Sequence, residues 1–441
     1  MAGVNCKSIE RLGHHRVVPA EPTPGGSLRL SWLDRYPTQM ALIESLHVFR
    51  AVSGKGVGDG GDDGGVDVAV GPARSIERAL ARALVHYYPL AGRLGFADSG
   101  EVRVECGNAG VWFTEAEAGF SLEDVDYLEY PMMVSKDELL PPTPAGEDER
   151  ELVLLVQVTT FACGGFVVGF RFSHAVADGP GAAQFMAAVG EFARGAESLA
   201  VEPVWGREAI PDPATAVIGS LPDPAGARRL EYLAVDISAD YIDHFKNQYN
   251  AAHVGGARCS AFEVLIAKAW QSRTRAAGFE PDSTVHLCFA MNARPLLHAS
   301  LPRGGAGFYG NCYYIMRVSA PAGKVSGSSV NDVVRIIKDG KRRMPSEFAR
   351  WAAGETVAGD PYQITADYRT LLVSDWTRLG FAEVDYGWGP PAHVVPLTNL
   401  DYIATCILVR PWAHKPGARL ITQCVTPDRV AAFHHGLLDM N

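Results

Sequence analysis

Phe166-Val167-Val168-Gly169-Phe170-Arg171-Phe172 and the seven residues that follow, Ser173-His174-Ala175-Val176-Ala177-Asp178-Gly179, decide how this chain folds. The first run is mostly apolar, and long and β-rich enough to be a strand buried on both faces. Pro180 then opens a helix pattern over residues 181–194, so a histidine stands where a core strand leaves its sheet. Asp178-Gly179-Pro180 reads as a tight turn into that helix. One imidazole and one carboxylate are thereby fixed on a single turn, held by the strand behind them. Near neutral pH an imidazole can take a proton from an attacking hydroxyl or amine and return it to the leaving group, with no metal and no covalent intermediate. A His beside a turn Asp is more often a helix-start hydrogen bond than a catalyst, so the rest of the chain must decide.

Upstream, residues 152–158 read as the hairpin partner of residues 166–172, across a turn at Cys163-Gly164-Gly165. Short strands are expected at 45–49, 92–94, 102–104 and 111–113. Ser75 is expected to cap a helix carrying Ile76, Leu80, Ala83, Leu84 and Tyr87, which Pro89 ends. Between 52 and 71 glycine and aspartate dominate, and a solvated, mobile loop is expected. The stretch 203–227, with Pro211, Pro213, Pro222 and Pro224, reads as a linker between an N-terminal lobe, 1–202, and a C-terminal lobe, 228–441.

In the second lobe, Ser238 precedes Ile242, Phe245 and Tyr249 at helical spacing. Ser260-Ala261-Phe262-Glu263 is a capping box opening a helix that stops at Gly278. Strands are expected at 285–290, 311–318, 371–374, 402–409 and 420–424, a helix over 330–343, and a last helix from Pro427. The fold class is α/β: two mixed-sheet lobes joined by a crossover.

Composition narrows the function. Apolar residues make up 47% of 441 and charged residues 20%, which suits a soluble protein with deep cores rather than a disordered or fibrous one. A formal net charge of −10 opposes nucleic acid or an anionic membrane as the main partner, because both need a basic footprint. The eight cysteines lack C-x-x-C spacing and read as buried thiols of a reducing compartment. No signal-like or membrane-length apolar run is found, so a cytoplasmic location is expected. His14-His15 and His434-His435 lack further ligands at metal spacing and read as surface, so no metal is expected.

Several stretches taken together resemble one family, the plant acyl-CoA-dependent acyltransferases called BAHD. Its marks are an HxxxD turn, here His174 to Asp178, and a DFGWG segment, here Asp385-Tyr386-Gly387-Trp388-Gly389. Further matches are Ser31-Trp32-Leu33-Asp34, Tyr87-Tyr88-Pro89-Leu90-Ala91-Gly92-Arg93, Asn292-Ala293-Arg294 and Phe308-Tyr309-Gly310-Asn311-Cys312, in the family's order. On its own the segment at 385–389 would read as a glycine-rich turn with an aromatic anchor. Tyr386 replaces the usual Phe and adds a hydroxyl that needs a partner if buried.

The resemblance implies two lobes of chloramphenicol-acetyltransferase-like type with an active-site channel between them, acyl-CoA as co-substrate, and no permanently bound cofactor. It makes His174 the general base toward an acceptor hydroxyl, and has Asp178 pair with Arg294 to hold the turn. Asp385 and Gly387 become structural. Trp388 is expected near the channel, its indole NH offered to the tetrahedral oxyanion. Ser31, Trp32 and Trp376 are candidates for the channel wall. The capped helix start at Ser260, with Arg258 just before it, is the candidate site for a CoA phosphate.

Within the family the wording is most similar to a grass group that moves hydroxycinnamoyl units, especially p-coumaroyl, onto monolignols. Ser45-Leu46-His47-Val48-Phe49-Arg50 and Ser374-Asp375-Trp376-Thr377-Arg378-Leu379 are among the stretches that carry this. The expected protein is a monomer acting on acyl-CoA and a small alcohol. The rivals are other acyl donors (benzoyl, acetyl, feruloyl), sugar or amine acceptors, and a binding protein that has lost turnover. A condensation domain of modular peptide synthesis shares the turn but normally carries a second His where this chain has Ser173.

Overall fold

The structure, a computed structural model, describes residues 8–51, 70–97, 101–213, 220–224, 228–252, 258–355, 360–363, 365–397, 402–412 and 415–440. Most of the glycine- and aspartate-rich stretch and part of the linker lie outside them. Strands and helices follow in chain order as β1 (Ile9–Val17), β2 (Gly26–Arg29), β3 (Leu42–Phe49), α1 (Pro72–His86), β4 (Arg93–Phe96), β5 (Val102–Cys106), β6 (Val111–Ala118), α2 (Lys136–Leu139), β7 (Leu154–Phe161), β8 (Phe166–Ser173) and α3 (Gly179–Ala193). The chain continues through β9 (Tyr232–Ser238), α4 (Ala239–Ala252), α5 (Ala261–Ala277), β10 (Thr284–Asn292), β11 (Tyr313–Pro321), α6 (Ala322–Gly327), α7 (Val330–Ala352), β12 (Thr370–Asp375), β13 (His393–Leu397), β14 (Thr405–Val409), β15 (Gly417–Gln423) and α8 (Val430–Leu438).

The chain forms two compact units, and they are interleaved in sequence. The first comprises Met1–Pro211, Leu297–Asn311 and Arg378–Asn399; the second comprises Asp212–Leu296, Cys312–Thr377 and Leu400–Asn441. The segment at 385–389, expected in the C-terminal lobe, therefore belongs to the unit that carries His174. The physical reason is β13, which adds antiparallel to β3, pairing His393 with Val48 and Leu397 with Glu44.

The main sheet of the first unit runs β1-β6-β7-β8-β3-β13, with a small sheet β2-β5-β4 beside it. It is mixed: β6 and β7 are parallel, and β8 pairs antiparallel with β7 and with β3. Every residue of β8 is buried. Phe166, Val167, Val168, Phe170 and Phe172 are each at most 4% exposed, and burying such a side chain contributes about 1.5–3 kcal/mol. Alternation sends Phe170 toward Phe185 of α3, ring centroids 6.5 Å apart. Val167 goes to the opposite face, against Leu122, Val134 and Leu139. At Gly169 a Cβ would lie 2.2 Å from the carbonyl oxygen of Leu139, so only glycine lets the segment at 139–140 lie on the strand.

The second unit holds a mixed sheet in the order β11-β10-β12-β14-β15-β9. The Ser260 capping box forms in full, with Ser260 N to Glu263 Oε2 at 2.9 Å and Glu263 N to Ser260 Oγ at 3.2 Å. The helix it opens is followed by Gly278 at φ 64°. Ser238 likewise accepts from Tyr241 N at 3.2 Å, and Ile242, Phe245 and Tyr249 are buried.

Other boundaries moved. α1 starts at Pro72 rather than at a Ser75 cap, because Gly71 takes φ 77° and proline is pre-set for the first helical position. It ends at His86, and Pro89 sits in a separate 3-10 turn, Tyr88–Ala91. α7 runs on through Pro345 to Ala352 instead of stopping at Arg343.

Candidate active site

His174 follows directly on β8, so its backbone is the last part of the turn still tied to the sheet. Its N donates to Ala41 O at 3.2 Å, and its carbonyl accepts from Asn311 Nδ2 at 2.6 Å. The ring lies on the same face as Phe172, centroids 6.2 Å apart. Ala175, Val176 and Ala177 are buried, whereas His174 is half-buried. Burial pushes the imidazole pKa below its ordinary 6.5, opposed in part by the Asp178 and Asp34 charges and by a hydrogen bond with Asn311. At neutral pH the ring is therefore in the neutral form that accepts a proton.

Asp178 is 4% exposed and caps α3. Its Oδ1 accepts from Gly181 N at 3.0 Å, and its carbonyl accepts from Ala182 N at 2.8 Å. The side-chain bond satisfies Gly181 N, a donor the first helical turn would otherwise leave orphaned.

Beneath the turn lies a fully buried carboxylate that the sequence did not single out. Asp34 is 0% exposed. Its Oδ1 accepts from Asn311 Nδ2 at 2.8 Å and Asn311 N at 3.3 Å. Its Oδ2 accepts from Ser31 N at 3.0 Å and faces Arg207 Nε at 3.0 Å. Arg207, 3% exposed, sends Nη2 to Val176 O at 2.5 Å. Its guanidinium lies over the rings of Trp205 at 4.1 Å and Tyr309 at 5.1 Å. Asp34 and Asn311 were visible only as letters in family matches, and Arg207 stands in the proline-rich stretch where no spacing marks it.

α3 rests on its neighbours through glycines. A Cβ at Gly181 would lie 1.9 Å from Tyr309 O, and one at Gly190 would lie 2.4 Å from Asp385 O. Arg194 also donates to the Asp385 carbonyl. The Asp385 side chain folds its own turn: Oδ1 accepts from Gly387 N at 2.7 Å and Gly389 N at 2.9 Å. Gly387 takes φ 105° and Gly389 φ 84°, the left-handed region that favours glycine. Tyr386 is buried against Phe49, centroids 5.3 Å apart, and burial pushes its hydroxyl pKa up.

Trp388 requires a correction. Its indole meets Phe166 edge-on at 5.5 Å, and Phe166 is the first residue of β8. His174 lies eight residues further along an extended chain, about 26 Å away at roughly 3.3 Å per residue. The indole NH is therefore not placed to receive an oxyanion formed beside His174.

The remaining predicted residues are dispersed. Ser31 and Trp32 are 6% and 3% exposed, and Ser31 Oγ accepts from Asp34 N at 3.1 Å, which ties Ser31 to the buried carboxylate. Trp376, in the second unit, is half-buried and donates Nε1 to Ser374 Oγ at 3.2 Å. Arg258 is exposed, and its carbonyl accepts from Lys338. At Ser260 the helix end is already occupied by the Glu263 carboxylate, itself bonded to Lys341 Nζ at 2.7 Å. A phosphate approaching the end of α5 would meet that negative charge. Arg294 belongs to the second unit, where its N donates to Asn292 Oδ1 at 3.0 Å.

His14 and His15 face apart, to Thr114 at 2.8 Å and to Glu77 at 2.7 Å. Among the described residues no group of three His, Cys, Asp or Glu is placed to hold a metal, and no helix is long and apolar enough to cross a membrane. Cys288, Cys406 and Cys424 are buried thiols whose pKa burial pushes up.

A family model described as Transferase family matches residues 7–437. Acyl transferase 7 of Oryza sativa subsp. japonica is 71% identical, over 99% of this chain and 98% of that protein. A caffeoyltransferase of Crocosmia x crocosmiiflora, myricetin 3-O-glucosyl 1,2-rhamnoside 6'-O-caffeoyltransferase AT2, is 39% identical, over 96% of this chain and 97% of that protein. The crystal structure of vinorine synthase shares the fold, with a TM-score of 0.72 at 20% identity, covering 98% of each chain.

Proposed function

The chain belongs to the Transferase family it resembles, the BAHD acyl-CoA-dependent O-acyltransferases, and from that premise we propose that it moves a hydroxycinnamoyl group, p-coumaroyl, from CoA to an alcohol of the monolignol class. The observation that carries the chemistry is His174: a half-buried imidazole, held neutral by burial, on a turn fixed at both of its ends. The neutral ring takes the proton of the acceptor hydroxyl as its oxygen attacks the thioester carbonyl. The tetrahedral adduct then collapses, the C–S bond breaks, and the imidazolium returns the proton to the departing thiolate, leaving an ester and free CoA. No group on the protein is acylated, so donor and acceptor react within one ternary complex.

Support for the hydroxycinnamoyl donor comes from the wording of the stretches at 45–50 and 374–379 and from the caffeoyltransferase relative. In this reading Arg258 supplies charge for the CoA phosphates, Arg294 pairs with Asp178, Trp376 stands along the substrate path, and the protein acts as a cytoplasmic monomer. The test is a panel of acetyl-, benzoyl-, feruloyl- and p-coumaroyl-CoA against monolignol, sugar and amine acceptors. Highest kcat/KM for p-coumaroyl-CoA with a monolignol supports the reading. Turnover confined to another donor or acceptor overturns the substrate assignment, and no CoA release with any pair favours a binding protein.

A further inference from the structure

The buried carboxylate of Asp34 does more than pair with a cation: each of its oxygens holds a side chain that in turn grips one peptide carbonyl of the histidine turn. Oδ1 holds Asn311, whose Nδ2 reaches Asp34 at 2.8 Å and His174 O at 2.6 Å. Oδ2 faces Arg207 Nε at 3.0 Å, and Arg207 Nη2 reaches Val176 O. The two gripped carbonyls belong to the 174–175 and 176–177 peptide units, so both are held, through Asn311 and Arg207, by a single anion. All three side chains are at most 3% exposed, which removes competing water and leaves each donor one good alternative to being orphaned. Arg207 suits its place because a planar fork can serve a carboxylate and a carbonyl together, which an ammonium cannot do with the same geometry.

We propose that Asp34, Asn311 and Arg207 form a positioning clamp that sets the angle at which the His174 imidazole is presented to the acceptor hydroxyl. The clamp acts on the backbone of the turn and makes no demand on the substrate. Asn311 is its most specific member, since it alone joins the anion to the peptide of the base itself. The inference rests on His174 being the base of the reaction proposed above.

The experiment compares Asn311→Ala, Arg207→Lys and His174→Ala in the full chain, measuring kcat, the KM for acyl-CoA, the pH profile of kcat/KM and thermal unfolding. Asn311→Ala is expected to lower kcat about 10- to 100-fold, since a misplacement near 1 Å is felt on that scale, with the acyl-CoA KM within about 2-fold. It also removes a hydrogen bond that raises the His174 pKa, so the acidic limb of kcat/KM should move to lower pH while the charges of Asp178 and Asp34 are unchanged. Arg207→Lys keeps the charge beside Asp34 and loses the grip on Val176, so an intermediate loss of kcat is expected. If Asn311→Ala does not fold, Asn311→Ser, which keeps a shorter donor, carries the same comparison. Wild-type kcat and an unmoved acidic limb in a folded Asn311 variant overturn the clamp, provided His174→Ala is inactive. An active His174→Ala instead overturns the base assignment.

Discussion

Trp388 meets the ring of Phe166 in a T-shaped contact, 5.5 Å between centroids, at the end of β8 opposite to His174. The contact anchors the turn at 385–389 to the sheet that presents the base, with Tyr386 against Phe49 beside it. Trp388→Phe should keep an aromatic edge there and leave kcat within about 2-fold of wild type, with a modest fall in Tm. Losing an oxyanion donor would instead lower kcat by about 100- to 1,000-fold at unchanged stability. Steady-state kinetics beside a thermal melt distinguish the two.

Asp178 earns its place in the sequence as a helix cap. Asp178→Ala removes the acceptor for Gly181 N and should cost about 1–2 kcal/mol of stability, with activity falling alongside because α3 begins where the turn ends. Asp178→Asn keeps a capping oxygen but loses the charge, so its stability should lie between those of wild type and Asp178→Ala. Chemical denaturation of both variants checks this, and an Asp178→Ala protein with wild-type stability and no turnover would contradict the structural role.

The glycines of α3 give a third test. Gly190→Ala would drive a Cβ to 2.4 Å from Asp385 O, and such overpacking typically costs about 1–3 kcal/mol. The helix must shift, and the His174 turn leads directly into it. Tm and kcat should therefore fall together. A Gly190→Ala protein with an unchanged melt would show that α3 does not rest on that carbonyl.

His47 governs a pH dependence of stability. It is fully buried, bonded to Ser45 Oγ at 3.0 Å, and burial pushes its pKa from 6.5 down to about 3. The folded state thus binds fewer protons than the unfolded chain between those values, so stability is complete above pH 6.5 and is lost as pH falls toward 3. At pH 5, 1.5 pH units below 6.5, the loss is about 2 kcal/mol. His174, whose pKa is also lowered, adds in the same direction. Urea midpoints at pH 7.5 and pH 5 should differ more for wild type than for His47→Gln. Equal differences would contradict the assignment.

The parts legible in sequence were those that short-range pattern dictates. β8 declared itself by apolar residues on both faces, the Ser260 box by its spacing, and the histidine turn by its place at a strand end. β1 escaped because it is an edge strand with Arg11, His14 and His15 along it and only Val17 buried. The interleaving of the two units escaped because β13 finds β3 across some 350 residues of chain, and no local pattern encodes that pairing. Asp34, Asn311 and Arg207 are far apart in sequence and meet only in the fold, where burial rather than spacing gives them their role. Trp388 shows the converse: a motif residue whose indole suggested chemistry until its neighbour was known.

The most direct measurement of the central claim is single-turnover acyl transfer by His174→Ala, made beside its thermal melt and its affinity for acyl-CoA. A general base contributes about 100- to 10,000-fold, so the rate should fall by that factor while the melt and the affinity stay at wild-type values. A His174→Ala enzyme that transfers the acyl group at the wild-type rate would contradict the account.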